Sequence, residues 1–305
     1  MVKNYYHSKR PGFKSNIYRA LIRLMGIKTK LRKAFETGDF GKAHKAAAIP
    51  ENIKNQCDVL YRQSPTGRTI WELKKKNTTP QHFIFFLHGG GFVANITKYD
   101  WAFLNRIIQQ TGYGVVAPEY PLVPTSNYKH VFDMVVPAYE ELLQQVGGEN
   151  VSLMGFSAGG GLTFSLAQYA RNNQLPNPAH IILLSPLLDG TIANPEIMEI
   201  DRYDPYIDVE GFRKAISVYA ANTSISNYMI SPIHGALEGL APIHLFVGTH
   251  EVLLPDARKL AALAKEKNIA LNYYEYNQMY HAWIFLNMPE AKDVFTQLML
   301  ILKQR

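Results

Sequence analysis

Val151-Ser152-Leu153-Met154-Gly155-Phe156-Ser157-Ala158-Gly159-Gly160 is the stretch from which the fold can be read. A short apolar run ends in a serine set between two glycines, and a helix-like sequence begins at Ala158. Strand, turn and helix in that order form a nucleophile elbow. The serine backbone is strained there, its neighbours two residues either side must be small, and its hydroxyl stands at the carboxyl edge of a sheet above the amino end of the helix. Gly-x-Ser-x-Gly alone is a weak signal, because glycine-rich turns match it by chance. Its meaning depends on what lies on either side.

Upstream, Phe83-Ile84-Phe85-Phe86-Leu87 is the continuous apolar run expected of a strand buried on both faces, and it runs into His88-Gly89-Gly90-Gly91-Phe92. Three glycines let the backbone approach a ligand closely and aim amide hydrogens at one point. In acyl transfer such amides, with that of Ala158, meet the charge that develops on the carbonyl oxygen, each donor being worth about 3 kcal/mol. His88, set against the glycine turn, is expected to hold this loop by hydrogen bonds rather than to act as a base.

Downstream, Pro242 to Gly248 reads as another buried strand, followed by Thr249-His250-Glu251-Val252-Leu253-Leu254-Pro255-Asp256. A carboxylate just past a strand end can orient a histidine; Glu251 is the candidate, and Asp256, capping a helix that runs through Ala264, is the alternative. Ala270 to Tyr276 alternates as a strand does, and His281 is the one histidine of ten in the loop that follows it. Serine, acid and histidine thus occur in the order of a known strand-borne triad, against the plainer reading of a surface acid and an aromatic-packed histidine.

These pieces resemble the hormone-sensitive-lipase-like branch of the α/β-hydrolase serine esterases, well represented in bacteria. The resemblance runs from about Asp58 to the C-terminus. It rests on His88-Gly89-Gly90-Gly91, Gly155 to Gly160, Ser231-Pro232, and the segments Gly248 to Asp256 and Met279 to Trp283. It implies an α/β-hydrolase fold: a mostly parallel eight-stranded sheet flanked by helices, with a helical cap. It also implies Ser157 as nucleophile, His281 as base, Glu251 as orienting acid, and the amides of Gly90, Gly91 and Ala158 as the oxyanion hole, with no metal or cofactor. The expected activity is that of a carboxylesterase on small-molecule esters with short acyl or aryl groups. Two departures stand out: Phe156 where an aspartate usually precedes the nucleophile, and Glu251 where the triad acid is more often aspartate. A noncatalytic small-molecule receptor, or an amidase or peptidase using the same triad, are the alternatives; retention of all three side chains argues against the receptor.

Composition agrees with an enzyme. The 305 residues are 47% hydrophobic and 19% charged, enough to bury a large core, and α/β folds of this length commonly form one domain plus a lid. No run of 18 apolar residues is present, so no transmembrane helix is expected. Arg19, Arg23 and Lys28 interrupt the N-terminal apolar stretches, which leaves no signal-peptide core, and the single Cys57 rules out an internal disulfide. The expected location is cytoplasmic, and a homo-oligomer is left open.

The net charge of +7 is uneven: residues 1 to 33 hold ten Lys or Arg and no acid. Phe13, Ile17, Leu21, Leu24 and Met25 recur there at helical spacing, giving an amphipathic helix with a basic face. Two roles are open to it: weak contact with an anionic membrane surface, or a lid helix laying its apolar face over the active site with its charges merely solvated. Nucleic-acid binding is discounted, because no recognised motif accompanies the charge. The layout is then a basic helical arm that is part of the cap (1–50), a first core segment (51–188), a cap insertion (189–240) and a second core segment (241–305). Tyr206, Phe212 and Tyr219 in the insertion are equally suited to lining a pocket or to packing the lid.

Overall fold

The computed structural model describes residues 3–303. Among these residues nine strands form one sheet: β1 (Lys3–His7), β2 (Cys57–Gln63), β3 (Thr69–Lys75), β4 (Phe83–Leu87), β5 (Gly114–Pro118), β6 (Val151–Phe156), β7 (His180–Leu184), β8 (Ile243–Gly248) and β9 (Leu271–Tyr276). Their spatial order is β1-β9-β8-β7-β6-β4-β5-β3-β2. The pairs β2–β3 and β3–β5 are antiparallel and every other pair is parallel. β4, β5, β6 and β8 are buried along their whole length, which is why they read as unbroken apolar runs rather than alternating ones.

Among the described residues, ten α-helices flank or cap this sheet: α1 (Phe13–Leu24), α2 (Ile27–Thr37), α3 (Glu51–Lys54), α4 (Lys98–Thr111), α5 (Tyr128–Val146), α6 (Ala158–Asn172), α7 (Glu196–Ile200), α8 (Val209–Ala220), α9 (Leu254–Glu266) and α10 (Pro289–Leu302). On one face α5, α6 and α9 bury Val135, Leu162 and Leu260 against the sheet; on the other α4 and α10 bury Trp101, Ile107, Val294 and Leu298. Each such side chain contributes roughly 1.5–3 kcal/mol on leaving water. The helix limits are local in origin: α4 opens with a reciprocal Thr97–Asp100 capping box, and α5 stops at Gly147.

The register decides where chemistry can happen. Leu87 of β4 lies opposite Gly155 of β6, Gly155 opposite Leu183 of β7, and Leu183 opposite Leu245 of β8. The residues just beyond these strand ends therefore meet at one carboxyl edge: the glycine loop after β4, Ser157 after β6, Ser185 after β7 and the Thr249 to Leu253 loop after β8. α1 and α2, together with the segment of α7 and α8, close over that edge.

The α/β-hydrolase fold is as expected, but the sheet has nine strands, not eight, and the 1–50 arm is not wholly cap. Lys3–His7 adds to the sheet in parallel with β9, with Tyr5 opposite Tyr274. Asn4-Tyr5-Tyr6-His7 has neither the unbroken apolar run nor the alternation that announces a strand. The pairing is tertiary: β9 would otherwise offer an open edge, and Tyr5 packs on both Tyr274 and Tyr276 at 5.9 Å while its hydroxyl reaches Asp293 at 3.0 Å.

Candidate active site

Ser157 sits at the turn from β6 into α6 with φ 55° and ψ −123°, in the left-handed half of backbone space that a residue with a side chain avoids. Surrounding hydrogen bonds hold it there: its amide donates to Leu184 O at 2.9 Å, and its carbonyl accepts from Gly161 N at 3.0 Å and Leu187 N at 2.9 Å. Gly159 explains the small flanking residue. Any Cβ there would collide with the carbonyls of Leu87 and His88, so the elbow and the glycine loop can share one edge only if this position is bare.

Ser157, Glu251 and His281, distant in sequence, come together in one hydrogen-bonded line. His281 Nε2 lies 2.9 Å from Ser157 Oγ, and His281 Nδ1 lies 2.9 Å from Glu251 Oε2. All three are buried, Glu251 completely. Two loops stitched to each other create this arrangement: Thr249 N donates to Tyr276 O at 2.9 Å, His250 N to Met279 O at 2.8 Å, and Gln278 N to Thr249 Oγ1 at 2.6 Å. Asp256 is not in the line. It sits at the start of α9 near Asp189 and hydrogen-bonds Asn194, and burial pushes its carboxyl up to about 6.

Several supporting groups escaped the sequence reading. Ser185 Oγ donates to Glu251 Oε1 at 2.9 Å, and the amide of Gly248 donates to the same oxygen, so this carboxylate has donors on both oxygens. Asp204, from the 189–240 segment, accepts from Val252 N at 3.1 Å and from Tyr206 N at 2.8 Å, tying that segment to the loop that carries Glu251. Burial raises the Asp204 carboxyl above its ordinary range. Ser185 alone carried a legible signal, a polar residue immediately past a buried strand. Phe156, the departure from the usual aspartate, stacks on the imidazole of His281 at 4.9 Å and meets Phe285 edge-on at 4.8 Å. Aromatic packing thus holds the histidine ring where a polar network was in question.

The glycine loop is equally fixed. Gly90 has φ +116°, open to glycine alone, and its carbonyl accepts from Val93 N at 3.0 Å and Ala94 N at 2.9 Å. Among the described residues, the amides of Gly90, Gly91 and Ala158 donate to no protein acceptor. His88 is fully buried: Nδ1 lies 2.8 Å from Gly89 O and the ring stacks on Tyr120 at 4.1 Å, while the Tyr120 hydroxyl donates to His88 O at 2.6 Å. Burial holds its pKa down to about 4, so it is a neutral strut for the loop.

A cavity of about 800 Å³ opens above Ser157, floored by Gly89 to Gly91, Phe156 and His281. Its roof is the arm and the insertion: Tyr18, Ile22, Leu31 and Phe35, with Tyr206 and Phe212. Tyr219 instead stacks on Phe92 at 3.7 Å in the core. Three of the arm's cations are not merely solvated but clamp it to the rest of the chain. Lys28 pairs with Asp201 at 2.6 Å, Arg32 with Asp208 at 2.8 Å, and Arg19 donates to His250 at 3.3 Å. Burial and the guanidiniums of Arg19 and Arg23 keep His250 down to about 4, so it accepts that bond as a neutral ring. No group of His, Cys, Asp and Glu able to hold a metal occurs among the described residues.

Residues 84–285 match the pattern of the alpha/beta hydrolase fold family. The chain belongs to that family. It is 26% identical over 269 residues to an esterase of Acinetobacter venetianus, covering 82% of this chain and 87% of that one. Over 158 residues it is 25% identical to the hormone-sensitive lipase of Homo sapiens, spanning 50% of this chain and 14% of the longer one. Among solved structures it is similar to EstE5 soaked by p-nitrophenyl butyrate, with a TM-score of 0.81, 25% identity, and coverage of 96% of this chain and 98% of that one. This hydrolase is therefore an esterase of the hormone-sensitive-lipase-like type, a serine carboxylic ester hydrolase. Among the described residues, no helix is long and apolar enough to cross a membrane.

Proposed function

We propose that this enzyme hydrolyses small short-acyl or aryl esters through an acyl-enzyme formed on Ser157. His281 Nε2 takes the proton of Ser157 as Oγ attacks the ester carbonyl, and Glu251 stabilises the imidazolium so formed and fixes its tautomer. The oxyanion is met by the amides of Gly90, Gly91 and Ala158. The alcohol leaves with the proton from His281, and a water molecule repeats the sequence to release the acid. The observation that carries the reading is the unbroken line from Ser157 Oγ through His281 to Glu251, with three amides free of protein acceptors beside it.

The cavity supports the substrate class. Its mostly apolar walls suit acyl and aryl groups, and the roof limits length. The relative soaked by p-nitrophenyl butyrate makes that ester a fitting first substrate. Residues 1–50 and 189–240 act as the cap in this reading, apart from the strand at 3–7. A fluorophosphonate probe should label wild-type enzyme and not Ser157→Ala, and a nitrophenyl ester series from acetate to decanoate should peak at the short end. Absence of label on wild type would remove the nucleophile from the proposal, and a peak at decanoate would remove the substrate class.

A further inference from the structure

Most of the apolar stripe of α1 does not face the active site: Leu21 and Met25 reach the cavity wall, whereas Phe13, Ile17 and Leu24 lie outside it. Its inward positions are Ser15, which donates to Glu290 Oε2 at 2.6 Å, together with Tyr18 and Ile22. Phe13 and Leu24 are 81% and 85% exposed, and Ile17 and Leu21 between them and Met25 just after are also exposed. Large apolar residues scattered singly over a surface need no explanation, but five on one helix face form a patch that water disfavours. The helix is held firmly in this orientation: besides Ser15, Gly12 N donates to Glu290 Oε1 at 2.9 Å and Arg19 is bound to His250.

Two further observations say what covers the patch. The first is charge. Residues 1 to 35 contain no Asp or Glu, and Lys9, Arg10, Lys14, Lys30 and Lys33 stand exposed on the arm, so the apolar stripe is set within a positive field. The second is continuity with the cavity. Leu21 and Met25 belong both to the exposed stripe and to the cavity wall, and Tyr99 at the start of α4, exposed and beside Lys98, also lines the cavity. The patch is thus one lip of the cavity mouth. An apolar strip with cations around it fits a surface that is apolar within and anionic at its boundary.

We propose that the outer face of α1 is an interfacial docking surface for anionic lipid, seating the cavity mouth in the headgroup layer so that esters dissolved in the lipid enter without crossing water. The docking surface stands independently of the chemistry; only the delivery of esters rests on the hydrolytic reading of Ser157. Docking buries Phe13, Ile17 and Leu24 at the acyl boundary and brings the arm cations to the headgroups, and release by salt follows from screening.

The test is flotation of the full chain with vesicles of phosphatidylcholine alone or with a third phosphatidylglycerol, comparing wild type with the double variant Phe13→Glu/Leu24→Glu. Both side chains lie outside the cavity wall, so the thermal midpoint and the rate on soluble p-nitrophenyl acetate should stay at wild-type values. Wild type should partition onto the anionic vesicles at least about tenfold better than onto neutral ones, and the double variant should lose about tenfold or more of that partitioning. Equal partitioning onto both vesicles, none onto either, undiminished partitioning of the variant, or a wild-type dimer in sedimentation that the variant splits would each overturn the proposal. Because flotation needs no turnover, an inactive enzyme that still binds the anionic vesicles leaves the docking surface standing and counts only against the hydrolytic reading.

Discussion

Replacing Glu251 by glutamine keeps the shape of the side chain and removes one acceptor, and the surroundings leave the amide no good orientation. Oε1 receives the Gly248 amide and the Ser185 hydroxyl, while Oε2 lies 2.9 Å from His281 Nδ1. If the new NH₂ points toward Gly248, two donors that cannot rotate away face each other in a fully buried site, at a cost of about 1–3 kcal/mol. If it points toward His281, Nδ1 must become the acceptor, the proton moves to Nε2, and the ring can no longer take the proton of Ser157. Either way the base loses its charged partner. A wrong tautomer in this geometry lowers turnover by about 10³–10⁴, equivalent to roughly 4–5.5 kcal/mol of transition-state stabilisation. The assay is steady-state hydrolysis of p-nitrophenyl butyrate by Glu251→Gln beside Asp256→Asn. KM should change little in either, and kcat should collapse only in the first. If Glu251→Gln keeps more than about a tenth of wild-type kcat while Asp256→Asn is dead, the acid has been assigned to the wrong carboxylate.

Asp256→Asn should also reveal a pH-dependent stability. The carboxyl is raised from an ordinary value of 3.8 to about 6, chiefly by burial, so the folded protein holds this proton more tightly than the unfolded chain does. Its favourable contribution is fully present below about pH 4 and is lost as pH rises through about 6. The asparagine variant should therefore melt higher than wild type at pH 7.5, by on the order of 2–3 kcal/mol in stability, and show no such gain at pH 4. Gly159→Ala should cost at least about 3 kcal/mol in denaturant unfolding, or leave no folded protein, because the added methyl meets two backbone carbonyls rather than flexible side chains. Arg32→Ala should loosen the arm from the insertion, visible as faster limited proteolysis near Gly38 and Asp39 and a higher KM, since it removes the salt bridge to the buried carboxylate of Asp208.

The core strands were legible because burial on both faces forces an unbroken apolar run, and β4, β6 and β8 each run into a loop of the candidate site. Ser157 and His281 could be located for a similar local reason: strain at the elbow demands its glycines, and the histidine is the one that follows the last strand. Glu251 and Asp256 could not be told apart in that way. They lie five residues apart in one segment, and only the stitching of Thr249 and His250 to the loop after β9 turns the first toward His281 and leaves the second beside Asp189.

What the sequence determined by itself is whatever a short window enforces: the elbow, the apolar strands, the helix stops and the presence of an amphipathic arm. The tertiary structure alone decided which way that arm faces. Periodicity marks an apolar stripe but not its partner, and here the pairing of β1 with β9, the Ser15–Glu290 bond and the Arg32–Asp208 bridge outweigh the burial of Phe13 and Leu24. The ninth strand and the Asp204 contacts belong to the same class. Each depends on groups brought together from distant parts of the chain, and no local pattern records that.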